Sequence, residues 1–115
     1  MEEVEIEAEN RTFSVEVSRG FLERAWGLSL RSEGKMLFDF GGYTRASIDM
    51  MLLSRPLHLY FLNSDGEVID ARKAEPWSFD PRTWKLYSPG RSYRYLLESF
   101  ENLELEEGDK LRFDI

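Results

Sequence analysis

His58 is the only histidine and there is no cysteine, so any chemistry must be built from carboxylates, hydroxyls and this one imidazole. Asp49 stands nine residues earlier, in an apolar run that reads as the strand before the one carrying His58. Adjacent antiparallel strands would bring the two side chains together, as a Ser–His–Asp arrangement requires. Paired in this way, His58 would titrate above its ordinary value of about 6.5. No serine lies in a nucleophile-elbow sequence, and a histidine-based metal site would need a second histidine. A buried structural pair is the plainer reading of Asp49 and His58, and no metal site or cofactor is expected.

Carboxylates alone supply another chemistry, since two of them suffice for acid–base hydrolysis of sugars. Asp49, Asp70 and Glu98 lie in or at the ends of apolar strand-like runs, where burial would shift their titration. Asp49, His58 and Glu98 are therefore the catalytic candidates. Arg24 and Arg31 flank a helix-like end and suit an anion, or equally tie that helix to a strand carboxylate such as Glu98. The densest surface signal runs from Trp77 to Arg94. Trp77, Phe79, Arg82, Trp84, Lys85, Tyr87, Arg91, Tyr93 and Arg94 alternate rings with cations, a pattern suited to stacking with charge contacts. The same pattern arises when rings cover a core and basic stems lie over them. The ligand-binding candidates are Trp77, Arg82, Trp84, Lys85, Tyr87 and Arg91.

These residues must be held by a mainly β framework. Val4, Ile6 and Ala8 alternate with glutamates, then Phe13, Val15 and Val17 with Ser14 and Glu16, predicting a hairpin with one wet face. Phe21, Leu22, Ala25 and Trp26 recur at helical spacing after Ser18 and before Gly27, predicting a short helix near 19–27. Met36 to Phe40 reads as a strand followed by a flexible Gly41-Gly42 connection. Ile48 to Leu53 and Leu57 to Leu62 read as strands covered on both faces. Asn63-Ser64-Asp65-Gly66 supplies turn chemistry for a second hairpin, returning along 67–72 with the 57–62 strand central. Glu75 to Gly90 holds three of the four prolines and reads as a long loop, a class of segment enriched in function. Tyr93 to Phe100 and the alternating Leu111, Phe113 and Ile115 are the last strands. About seven strands and one short helix predict a single α+β domain over 1–115, barrel-like or a closed sandwich.

Charge narrows the partners. The chain is net −7, yet Ala71 to Tyr95 carries six basic residues against Glu75 and Asp80. The acidic whole opposes nucleic acid and anionic membranes, while the local strip could orient a small-molecule or protein partner. The start is acidic and alternating rather than basic then apolar, and no apolar run is long enough to span a bilayer. A cytoplasmic protein without a membrane anchor is expected. The chain has no glutamine and 32% charged residues, a thermophile-like composition.

Several ordered stretches resemble an uncharacterised family, domain of unknown function 192. Glu23-Arg24-Ala25-Trp26-Gly27-Leu28 is similar to its arginine helix ending in Gly-Leu, and Gly34-Lys35-Met36-Leu37-Phe38 to its Gly-Met-Leu-Phe. Ile48 to Leu53 and Pro56 to Leu62 resemble its central strand pair. Glu75-Pro76-Trp77, Tyr95 to Glu98 and Gly108-Asp109 complete the match. Many members have Trp-Met-Lys-Asn-Thr where this chain has Asp49-Met50-Met51-Leu52-Leu53, so the resemblance is to the archaeal-like branch with apolar replacements. The usual histidine before the methionine is Asp49 here, and the usual aspartate after Pro-Leu is His58. The resemblance implies a fold and no agreed activity. The expected function is a small binding or interaction module using the aromatic–basic loop. The alternative is a small hydrolase using carboxylates with His58.

Overall fold

The structure, a computed structural model, describes residues 2–19, 28 and 31–115. The expected helix near 19–27 lies outside the described residues. Period-two alternation forms β1 (Glu2–Glu7) and β2 (Thr12–Ser18), an antiparallel pair with Val4 opposite Val15 and Ile6 opposite Phe13. Ile6, Phe13, Val15 and Val17 are buried, while Glu3, Glu5 and Glu7 face solvent. The wet face read from the sequence is therefore real.

β3 runs from Lys35 to Thr44 and lies parallel to β2. It continues through Gly41-Gly42 instead of ending there. The register jumps between Asp39 and Thr44, and Gly41 takes φ 76°, so the glycines form a bulge that re-aims the strand. β4 (Leu57–Leu62) and β5 (Val68–Ala74) form the second hairpin as expected. The Asn63 side-chain oxygen accepts from the Asp65 and Glu67 amides, and Gly66 at φ 82° closes the turn. β6 (Tyr93–Ser99) inserts antiparallel between β3 and β4, giving the order β1-β2-β3-β6-β4-β5. β4 thus has a neighbour on each side, which explains its nearly unbroken apolar sequence.

Among the described residues the sheet is open and has six strands, so the mainly β reading stands and the barrel or closed sandwich of about seven is corrected. The run 48–53 is not a strand. Asp49 accepts the Met51 amide on its own side chain, and Leu52 takes φ 64° in a turn between Met50 and Leu53. That turn buries Met50 and leaves Met51 and Leu52 exposed. The 111–115 segment also fails to become a strand. It crosses one sheet face as a strap, exchanging backbone hydrogen bonds between Arg112 and Glu7 of β1 (2.8 and 2.9 Å). Near β5, Leu111 donates to Gly66 and Val68 to Asp109, both at 2.8 Å. The two edges are tied by this strap and not to each other, which is why closure failed.

Each sheet face carries its own core. On the tail face, Ile6, Leu37, Tyr60 and Leu97 pack under Leu103 and Leu111 of the strap. On the loop face, Met36, Leu59, Phe61, Tyr93 and Leu96 pack under Met50. Trp77 and Tyr87 of the long loop lie against that second core. Tyr93 sets edge-on against Phe61 at 4.9 Å and donates its hydroxyl to the Ala46 carbonyl at 2.6 Å, pinning the β3–β4 loop to the sheet.

Candidate functional site

The sheet register separates the residues of the expected triad. Residues directly opposite one another on paired strands share a face, and successive residues alternate. His58 stands opposite Ser99, and Leu59 opposite Glu98. His58 therefore faces away from Glu98. Asp49 sits in a loop, with its carboxylate on the Met51 amide, so the strand-to-strand Asp49–His58 pair is corrected. Burial and the Lys73 charge push the His58 imidazole below its ordinary value, opposite to the effect of a carboxylate partner. Lys73 is the cross-strand neighbour of His58 on β5.

Of the three carboxylate candidates, Glu98 is buried and feels the charge of Asp49, which is itself exposed. Glu98 is only 7% exposed, with burial first and the Asp49 charge second pushing its carboxyl up to about 8. A carboxylic acid at that value is mostly protonated at neutral pH. Asp70 is held elsewhere, by Arg72 of the same strand at 2.8 Å. Arg31 pairs with Glu16 on β2 and not with Glu98, while Arg24 lies outside the described residues.

The 75–90 stretch is a loop, as expected, and it holds its rings in a fixed arrangement. Pro81–Thr83 forms one 3-10 turn capped by Asp80, whose carboxylate accepts the Arg82 amide and grips its guanidinium at 2.7 and 3.0 Å. Thr83 donates its hydroxyl to the Asp80 carbonyl and accepts the Ser78 amide. Trp77 and Trp84 stack at 6.1 Å and 28°. Each indole N–H is spent inside the loop, Trp77 on the Lys85 carbonyl and Trp84 on the Ser78 carbonyl, both at 2.8 Å. Trp84 is nevertheless 52% exposed, Leu86 63%, and Phe79 stands fully in solvent. Tyr87 is half-buried, exchanging backbone bonds with Ile48 and accepting the Glu75 amide on its hydroxyl. Tyr93 belongs to the core, where burial pushes its hydroxyl up to about 12.

The cationic strip is largely neutralised. Arg72 pairs with Asp70, Arg82 with Asp80, Arg94 with Asp39 and Arg91 with Glu107 at 4.0 Å. Lys73 and Lys85 form no ion pair among the described residues. Sequence reasoning missed Met51, Leu52 and Leu86, which extend the exposed apolar surface beside the tryptophans. The Trp77 amide donates to the Met50 carbonyl at 3.2 Å, so the two loops are joined there.

A family model described as "Uncharacterized ACR", domain of unknown function 192, matches residues 3–113. The chain belongs to this family. A UPF0127 protein of the archaeon Pyrococcus furiosus is 31% identical over 107 residues, covering 87% of this chain and 86% of its own. Another from Pyrococcus abyssi is 27% identical over 106 residues, covering 86% and 85%. Among solved structures, a candidate transcription regulator of Sinorhizobium meliloti 1021 superposes with a TM-score of 0.81 at 24% identity, over 97% of this chain and 94% of that one. A protein of unknown function from Novosphingobium aromaticivorans gives 0.75 at 22% identity, over 96% and 83%. At these identities the likeness carries the family fold alone. Family membership brings no specific activity with it. Among the described residues no helix is long and apolar enough to cross a membrane, and no three metal-ligating side chains cluster.

Proposed function

We propose that the protein is a binding module whose contact surface is the Trp77–Trp84 stack with Phe79, Leu86, Met51 and Leu52 beside it. One observation carries this reading. Two stacked indoles, Trp84 exposed and Trp77 partly buried against the core, are locked by hydrogen bonds from their own N–H groups, so the open ring face of Trp84 is held ready with little ordering cost at binding. With both N–H groups spent, the rings offer stacking faces and not donors. The internal pairing of Arg82, Arg91 and Arg94 favours ring stacking and apolar contact over anion binding as the main attraction. The partner is a small molecule or a protein, and a cytoplasmic setting belongs to the same proposal.

NMR titration with cellohexaose, a neutral stacking probe, and with decathymidine, an anionic one, tests it. Shifts should gather at residues 50–52 and 77–87 and disappear in Trp84→Ala with the rest of the spectrum unchanged. Binding should weaken less than about twofold between 0.1 and 0.5 M salt, because screening acts on charge contacts that contribute little here. Neither probe shifting those residues would overturn the reading. The hydrolase alternative loses its histidine, since His58 lies on the other face of the sheet; Asp49 and Glu98 are what remain of it.

A further inference from the structure

We propose that the ring surface receives a second copy of this chain, forming a two-fold symmetric dimer in which Asp49 of each copy meets the partner's Lys85. Such a dimer depends on the ring surface being the molecule's contact surface, as read above, and goes further by naming what covers it.

The exposed apolar side chains are gathered in one place. Among the described residues six large hydrophobic side chains are exposed, and five of them, Met51, Leu52, Phe79, Trp84 and Leu86, stand on two loops. The sixth, Tyr43, lies elsewhere with its hydroxyl on Ser64 at 2.9 Å. The two loops are joined. Ile48 and Tyr87 exchange backbone bonds at 2.8 and 2.9 Å. Trp77 ties the loops again, its amide donating to the Met50 carbonyl at 3.2 Å and its indole to the Lys85 carbonyl at 2.8 Å.

The five side chains expose on the order of 600 Å² of apolar surface. Apolar patches on monomers seldom exceed that, and each side of a standard interface buries about 800 Å². The patch is thus large enough to be the apolar centre of a small interface, with the polar edges of the loops as its rim. Its polar groups are turned inward. Both indole N–H groups are spent on carbonyls, Arg82 is held by Asp80, and the Thr83 hydroxyl is on the Asp80 carbonyl. That suits an apolar protein surface, which asks for no donors.

Charge selects a copy of the chain as that surface. Molecules of net −7 repel one another over most of their area. Residues 48–53 and 77–87 are balanced, with Asp49 and Asp80 against Arg82 and Lys85. Asp80 and Arg82 satisfy each other at 2.7 Å, which leaves one charge of each sign. Lys85 is exposed and forms no ion pair among the described residues. Asp49 is exposed too, with Oδ1 on the Met51 amide at 3.0 Å and no cation among the described residues. They belong to different loops, and Trp77 bridges the backbone beside them. A two-fold axis through the patch makes the Asp49–Lys85 contact twice, as a self-complementary interface requires. Rim pairs of this kind fix orientation more than affinity.

Sedimentation equilibrium of the intact chain from about 10 µM to about 1 mM tests the dimer. One monomer–dimer transition is expected, with a dissociation constant in the micromolar range. Trp84→Ala should weaken it at least about tenfold. Leu86→Ser leaves the ring stack in place and should also weaken it, which keeps the test open if Trp84→Ala does not fold. Lys85→Glu and Asp49→Lys should each weaken self-association, yet an equimolar mixture of the two should associate as the wild type does. A merely structural role for either residue gives no such rescue. Cellohexaose should compete and raise the apparent dissociation constant. The dimer is refuted by a monomer at about 1 mM, by a dimer that survives both Trp84→Ala and Leu86→Ser, or by a charge-variant mixture that stays monomeric. A monomer whose residues 50–52 and 77–87 still respond to cellohexaose refutes the second copy and leaves the contact surface standing. A monomer that responds to neither cellohexaose nor decathymidine refutes both.

Discussion

Replacing Glu98 by glutamine should reshape the pH dependence of stability without changing the fold. Glutamine has nearly the shape of the protonated acid but cannot ionise. In the unfolded chain Glu98 ionises near 4.5, and in the folded chain at about 8. Between those values the native state keeps a proton that the unfolded state has lost, so stability falls as pH rises. The penalty is absent below about 4.5 and complete above about 8. A gap of about 3.5 pH units at about 1.4 kcal/mol each gives a ceiling of ~5 kcal/mol. Typical domains have about 5–15 kcal/mol in total, so the effect is large. Urea unfolding of both proteins at pH 5 and pH 9 isolates it, because other titrating groups are common to the pair. The wild type should lose several kcal/mol relative to Glu98→Gln over that interval. Parallel curves for the two proteins would refute the reasoning.

Other residues give sharper local tests. Gly66→Ala would put a methyl group 2.4 Å from the Leu111 carbonyl at φ 82°, so it should cost more than about 1 kcal/mol and speed amide exchange at Leu111 and Arg112 first. His58 should titrate below 6.5 by NMR, and Lys73→Gln should move it upward; a value above 6.5 in the wild type would contradict the geometry. Tyr93→Phe should cost about 1–2 kcal/mol in chemical denaturation by leaving the Ala46 carbonyl without its donor, with line broadening across residues 45–50.

What the sequence disclosed follows from how local each signal was. The β1–β2 alternation and the Asn63–Gly66 turn lie within a few residues, and both hairpins formed as read. The prolines of 75–90 equally marked a loop. Residues 48–53 misled because an apolar run has the same composition whether it lies in a sheet or in a turn with Met51 and Leu52 outside. What decided it was the Asp49 side chain capping Met51, a bond any aspartate before a strand could also have left unmade. The site divided in the same way. Glu98 was visible as an acid in an apolar strand, but the exposed Asp49 whose charge it feels belongs to a loop folded over from another element. The apparent charge of the aromatic strip failed because Arg94 meets Asp39 and Arg91 meets Glu107 only after the sheet assembles. Arg82 and Asp80 are two residues apart, and that pairing was there to be read.

The position of β6 has a consequence for how the chain comes to be made. It is the last strand in sequence, yet it lies between β3 and β4, which otherwise have no ladder in common. During synthesis the earlier strands can assemble only as two separate pieces, each with an apolar, unpaired flank: Leu37 and Phe38 on one, Leu59 and Phe61 on the other. Such flanks are open to pairing with other nascent chains. Release of β6 from the ribosome is therefore the event that turns two vulnerable fragments into one molecule.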